Sequence, residues 1–259
     1  MNHSVYSRVV SRGRRRVQPQ DRLEELVGAG AVVFARQGYR RTQMADVARE
    51  LGVSPGNLYN YVDSKDALFY LVLRRTFGER PDDRPLELPV TGADVTVTLE
   101  WVAKRLDFVG DFPELERAFV RRRAGRPEEE VEVVVGELYD VLTRMRLGVD
   151  MIEHSVHDLP QLAEVFGGVR RELYGRYERY LRQRRRAGTI RVEEPQAVAH
   201  LIVELCWWAA GRRPNDPQAT GISDSTARTT VCRFVADALT SADRRYGRSS
   251  EPKPKGKQT

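Results

Sequence analysis

The chain has 259 residues, 41% hydrophobic and 31% charged. That is enough apolar material for one or two cored domains, with no apolar run long enough to cross a membrane. The net charge is +6, and residues 1–75 hold all of the excess, with 13 Lys/Arg against 7 Asp/Glu, while the remainder balances at 30 of each.

Positive charge confined to one part of a chain is the electrostatic footprint of a module that binds phosphates. The basic start has no apolar segment behind it, so it does not read as a signal peptide. Cys206 and Cys232 read as reduced, buried, small apolar residues. The Gly-rich phosphate loop, the Gly-x-Ser-x-Gly elbow, the His-Glu-x-x-His motif and paired cysteine ligands are all missing, which argues against an enzyme. No cofactor is expected.

In chain order, residues 1–20 lack an apolar period and carry Arg8, Arg12, Arg14, Arg15 and Arg16; they read as a flexible basic arm. A first helix starts near Asp21, with Leu23, Leu26, Val27, Gly30 and Phe34 on one face, and ends at Gly38. Thr42 is the expected N-cap of a second helix, whose inner face is Met44, Val47, Ala48 and Leu51. Gly52 stops it. Ser54 caps a third helix with Pro55 at its first position, running about two turns to Tyr61. Asp63 or Ser64 caps a fourth, with Leu68, Leu71 and Val72 inward. Residues 78–92, with Pro81, Pro85 and Pro89, read as a linker.

Beyond the linker, helices are expected near 94–109, 112–123, 127–155, 160–187, 195–211 and 223–242, and residues 246–259 as a disordered tail. The fold class is therefore all-α: a three-helix head over 21–77, joined to a larger helical domain over 78–245.

Helix, tight turn and short capped helix over 42–61 form a helix-turn-helix, in which the second helix enters the major groove. The third helix presents Ser54, Gly56, Asn57, Asn60 and Tyr61, small or hydrogen-bonding groups suited to base edges, while Leu58 points inward. Here the sequence resembles the TetR family of bacterial transcription regulators. The run Gly38-Tyr39-Arg40-Arg41-Thr42-Gln43-Met44-Ala45-Asp46-Val47-Ala48 looks like the opening of that family's DNA-binding domain. Residues Leu51 to Leu68 match its core signature almost position for position, with Val62 where many members have phenylalanine.

The resemblance implies roles. Thr42 would bind a phosphate through its hydroxyl and N–H. Tyr59 and Tyr61 would lie on the sugar-phosphate backbone. Lys65 would pair with another phosphate. Ser54, Pro55, Gly56, Asn57 and Asn60 would face base edges. The implied function is a cytoplasmic, ligand-responsive repressor that binds double-stranded operator DNA as a homodimer. The alternative is a DNA-binding dimer without an effector.

In the larger domain, the segment from Ala197 to Ala210 is apolar nearly all round. With the last helix it is expected to form a four-helix dimer interface through Leu201, Leu205, Trp208, Val231, Phe234 and Val235. Candidate lining for a small-molecule effector is Trp101, Phe108, Phe119, Tyr139, Met151, His154, Phe166, Tyr174 and Trp208; such residues serve equally as plain core. Asp150, His154, His157 and Asp158 share a helix face but read as a solvated helix end, so no metal is expected. Arg182, Arg184, Arg185 and Arg186 read as cations complementing the C-terminus of their helix.

Overall fold

The computed structural model describes residues 19–76, 87–92, 95–107, 112–121 and 125–241. The basic arm, the C-terminal tail, Phe108 and much of the linker lie outside the described residues. Among the described residues the chain is helical, with ten α-helices and one isolated parallel bridge. No described helix is long and apolar enough to cross a membrane.

Helices α1 (Pro19–Arg41), α2 (Met44–Leu51), α3 (Pro55–Leu58) and α4 (Lys65–Thr76) form the head. Helix α1 packs on α2 and α4, and α2 on α3. Of the expected inner faces, Leu23, Leu26, Val27, Phe34, Val47, Ala48, Leu58, Leu68, Leu71 and Val72 are buried, while Met44 and Leu51, at the two ends of α2, are half-buried. Val62 is fully buried too, as its place in the motif requires. Phe34, Tyr39 and Phe69 close one end, with Phe69 4.9 Å and 5.0 Å from the other two rings. Such aromatic pairs contribute about 0.5–1.5 kcal/mol beyond their buried area.

The first helical run of α1 breaks at Gly38, where its end was expected: the backbone turns to φ 76°, ψ 177°, and a separate short helical stretch follows to Arg41. The N-cap of α2 is Gln43, whose N–H donates to the Asp46 carboxylate at 3.1 Å. Thr42, the expected cap, sits one residue too early and is buried instead, its hydroxyl donating to the Gly38 carbonyl at 2.7 Å. Gly52 takes the left-handed conformation that ends α2 (φ 74°), as expected. Ser64 is the cap of α4, accepting the Ala67 N–H at 3.1 Å.

The end of the linker packs back on the head. The Val90 N–H donates to Tyr61 O at 2.8 Å, and the Asp63 N–H to Val90 O at 3.1 Å. This bridge has no sequence periodicity behind it, because a single pairing leaves no repeating pattern.

Beyond the head lie α5 (Val95–Asp107), α6 (Pro113–Val120), α7 (Pro127–Ser155), α8 (Pro160–Arg186), α9 (Pro195–Trp207) and α10 (Asp224–Thr240). Prolines open four of these, α6 to α9, where their missing N–H costs nothing. Helix α9 passes into a five-residue π-turn, Trp208–Arg212. The chain divides into two compact units, residues 1–111 with 141–173 and residues 112–140 with 174–259, and α7 and α8 contribute a segment to each.

In the second unit, Arg184 departs from its sequence reading. It is 2% exposed and bonded to both oxygens of Glu130, at 2.5 and 3.1 Å, and to the carbonyls of Arg121 and Ala118. It therefore clamps the end of α6 to α7 and α8, while Arg182, Arg185 and Arg186 stay exposed. Burial pushes the Cys206 thiol up, and Cys232 adds to it; both thiols are free and buried.

Candidate nucleic-acid interface

The third helix is one turn, not two: α3 covers Pro55–Leu58, and Tyr59 follows in right-handed helical conformation. Leu58 is buried and pins the turn to the core, a contact of about 1.5–3 kcal/mol for a fully buried leucine. Ser54, Pro55, Gly56, Asn57 and Asn60 are exposed, Tyr59 is 49% exposed and Tyr61 is half-buried. This surface holds hydroxyl, amide and phenol groups and no carboxylate, so it can approach phosphates and hydrogen-bond to base edges.

The start of α4 adds a cation. Lys65 Nζ donates to the Tyr39 carbonyl at 3.1 Å and lies 4.3 Å from the centre of the Tyr39 ring. An ammonium has three protons, so two remain for an incoming phosphate. The Tyr39 hydroxyl donates to Asp66, and its burial together with Asp66 holds the phenol well above its ordinary range. Thr42 differs from its implied role: with its hydroxyl committed to Gly38 O, it supports the turn from inside.

The head is tied to a segment far along the chain. The Tyr39 N–H donates to Ser155 Oγ at 3.1 Å, and the Arg40 N–H to Asp158 Oδ2 at 3.2 Å. Gly38 lies against the His154 carbonyl so closely that a Cβ would collide with it. The sequence singled out Gly38 as the end of the first helix and Tyr39 as part of the family run, and nothing local to them indicates these partners.

The effector candidates fall in both units. In the first, Met151 and Phe166 are buried, and Trp101 packs edge-on against Tyr70 at 6.2 Å. His154 is exposed, its Nδ1 paired with Asp150 O at 2.8 Å. In the second, Tyr139 is buried with its hydroxyl on Asp224 O at 3.1 Å. Tyr174 stacks on His200 at 4.0 Å and donates to Glu204. Phe119 lines an open cleft of about 580 Å³ with Arg179, Arg182 and Arg186. Among the described residues no three His, Cys, Asp or Glu side chains gather as a metal would need.

The interface candidates separate by exposure. Leu201 (68%), Phe234 (64%) and Trp208 (43%) are exposed, and Leu205 is half-buried. Val231 and Val235 are buried within the chain itself, with Ala227, Cys232, Ala236 and Leu239 on the inner face of α10.

Residues 26–71 match the family model described as bacterial regulatory proteins of the tetR family. The chain is 34% identical over 79 residues to the HTH-type transcriptional repressor KstR2 of Rhodococcus jostii, 30% of this chain and 38% of that one. It is 29% identical over 69 residues to the HTH-type transcriptional regulator HbdR of Aromatoleum sp. (strain CIB), 27% of this chain and 30% of that one. These matches span less than half the length of the curated relatives. The fold extends further: the ketosteroid transcriptional regulator KstR2 of Mycobacterium tuberculosis superposes over 90% of this chain and 99% of its own, with a TM-score of 0.50 at 18% identity. Residues 26–71 thus match the DNA-binding region of the tetR family of bacterial regulatory proteins, and the fold of the chain is similar to that of a regulator with the same kind of head.

Proposed function

We propose that the protein is a transcription regulator rather than an enzyme: a homodimer that binds an operator through α3 and is released from it by a small molecule. The observation that carries this reading is the exposed, carboxylate-free face of Ser54, Asn57, Tyr59 and Asn60 around the buried anchor Leu58. A groove-reading helix needs this division between a fixed inner side and a hydrogen-bonding outer side.

The dimer is supported by Leu201, Trp208 and Phe234, three large apolar side chains left exposed on α9, its π-turn and α10. A second copy of the chain would cover these side chains on association. The head is taken as residues 21–77 and the effector and dimerisation domain as 78–245. Helix α4 and the contact of Gly38, Tyr39 and Arg40 with residues 154–158 are the two routes by which a ligand would move the head. A ligand acts only through its differential affinity for the two positions.

Selection from a random-sequence duplex library tests the reading. The full chain should enrich a palindromic or near-palindromic site with half-sites about one helical turn apart. Enrichment of no sequence would remove it.

A further inference from the structure

Resting on that reading, we propose that Arg41 is an additional, sequence-independent contact to the DNA backbone, holding a phosphate at the entrance to α2. The first support is a division among the cations of the head. Among the described residues up to Thr76, Arg22 pairs with Glu25 (2.5 Å), Arg36 with Glu50 (3.2 Å), Arg49 with Asp46 (3.0 Å) and Arg75 with Glu24 (3.3 Å). Arg74 lies over the Tyr70 ring. The side chains of Arg40, Arg41 and Lys65 make no ion pair with a described carboxylate; Arg41 Nε and Lys65 Nζ donate to the backbone carbonyls of Gln37 and Tyr39.

The second support is what the neighbouring acids do. Asp46 accepts from the Gln43 N–H (3.1 Å), Gln37 Nε2 (3.1 Å) and Arg49 (3.0 Å). Asp66 accepts the Tyr39 hydroxyl, and Asp158 the Arg40 N–H. The acids at this end of the head are thus directed to donors of the protein other than Arg41.

The third is the geometry of Arg41 itself. It is exposed, and its Nε donates to the Gln37 carbonyl at 2.9 Å, beside the break at Gly38. One of the five guanidinium donors is therefore used, and it fixes the plane of the group. The two Nη groups remain as a fork, the arrangement that grips two oxygens of one phosphate. Arg41 also lies two residues before the N-cap Gln43, at the entry of the helix that braces on the backbone in helix-turn-helix docking.

The competing account is that Arg40 and Arg41 only complement the C-terminus of α1. The two accounts differ in salt dependence. Binding to a labelled mixed-sequence duplex is followed by anisotropy between about 50 and 200 mM salt. Arg41→Ala should lower the slope of log K against log[salt] by about 0.9 for each subunit bound, with the melting curve unchanged. Arg41→Gln, which keeps a donor for Gln37 O, should lower it equally. Arg36→Ala removes a cation already neutralised by Glu50 and should leave the slope in place. A wild-type slope in both Arg41 variants would overturn the proposal, as would an equal loss in Arg36→Ala, which would trace the effect to net charge. Wild-type chain that binds no duplex at about 50 mM salt would overturn the regulator reading itself, a result separate from either.

Discussion

The backbone N–H of Tyr39 donates to the hydroxyl of Ser155 across 3.1 Å, and Ser155 in turn donates to the carbonyl of Met151 at 2.7 Å. One hydroxyl therefore joins the turn between α1 and α2 to the last turn of α7. Ser155 is fully buried, so the bond is not exchanged with water. Ser155→Ala would leave the Tyr39 N–H without its partner. The expected cost is about 1–3 kcal/mol in urea unfolding, the range for an unsatisfied buried group. Gly38→Ala should be worse than Ser155→Ala, because the methyl meets the His154 carbonyl and the φ of 76° is strained for alanine. Unchanged midpoints in both variants would show that this contact does not hold the head.

The recognition surface separates into groups that choose a sequence and groups that hold DNA of any sequence. Asn57→Ala or Asn60→Ala should relax preference at one base pair, costing about 1–3 kcal/mol there if the amide reads adenine. Lys65→Ala should weaken binding to all sequences alike and lower the salt slope by about one per subunit. It should also loosen Tyr39, whose carbonyl and ring it now holds. A salt slope that survives Lys65→Ala would contradict the phosphate role.

Much of the head was legible in the sequence because its signals are local. Gly52, Pro55 and Leu58 each act within a turn or two of their own position, and the buried faces of α1, α2 and α4 follow helical periodicity. The shift of the α2 cap from Thr42 to Gln43 was not legible, since both are polar and adjacent, and the choice depends on the kink at Gly38. Arg184 was missed because an arginine within a basic run has the appearance of a solvated one; its burial depends on Glu130 and the carbonyls of Ala118 and Arg121, all more than 50 residues away. The exposed interface candidates were not separable from Val231 and Val235, because an apolar helix does not announce which side its own chain will cover. The effector lining stayed open for a similar reason: Met151, Phe166 and Tyr139 fill core positions as readily as they would line a cavity.

The clamp around Arg184 makes its own prediction. Arg184→Met strands the Glu130 carboxylate and two carbonyls, and removing one partner of a buried pair costs about 3–5 kcal/mol. The double variant Arg184→Met with Glu130→Leu should recover part of that loss. Chemical denaturation of Arg184→Met, Glu130→Leu and the double variant decides it, and a double loss equal to the sum of the two single losses would mean that the pair is not coupled.

Association should depend on the exposed apolar residues and not on the buried ones. Leu201→Glu and Phe234→Glu are expected to shift the chain to monomer in sedimentation equilibrium, with the helical spectrum retained, because neither side chain is needed by the chain's own core. Val235→Glu places a charge in that core and should unfold it instead. A stable monomer of the unmodified chain at micromolar concentration would contradict the dimer.

The most direct test of the central claim is the ratio of dissociation constants for a selected site and a shuffled duplex of equal length, at one fixed salt concentration near physiological. Sequence-specific binding through α3 predicts a ratio of about 1,000 or more, falling toward one when Asn57 and Asn60 are both replaced by alanine. Equal affinities for the two duplexes in the unmodified chain, or a ratio that Asn57 and Asn60 do not influence, would contradict it.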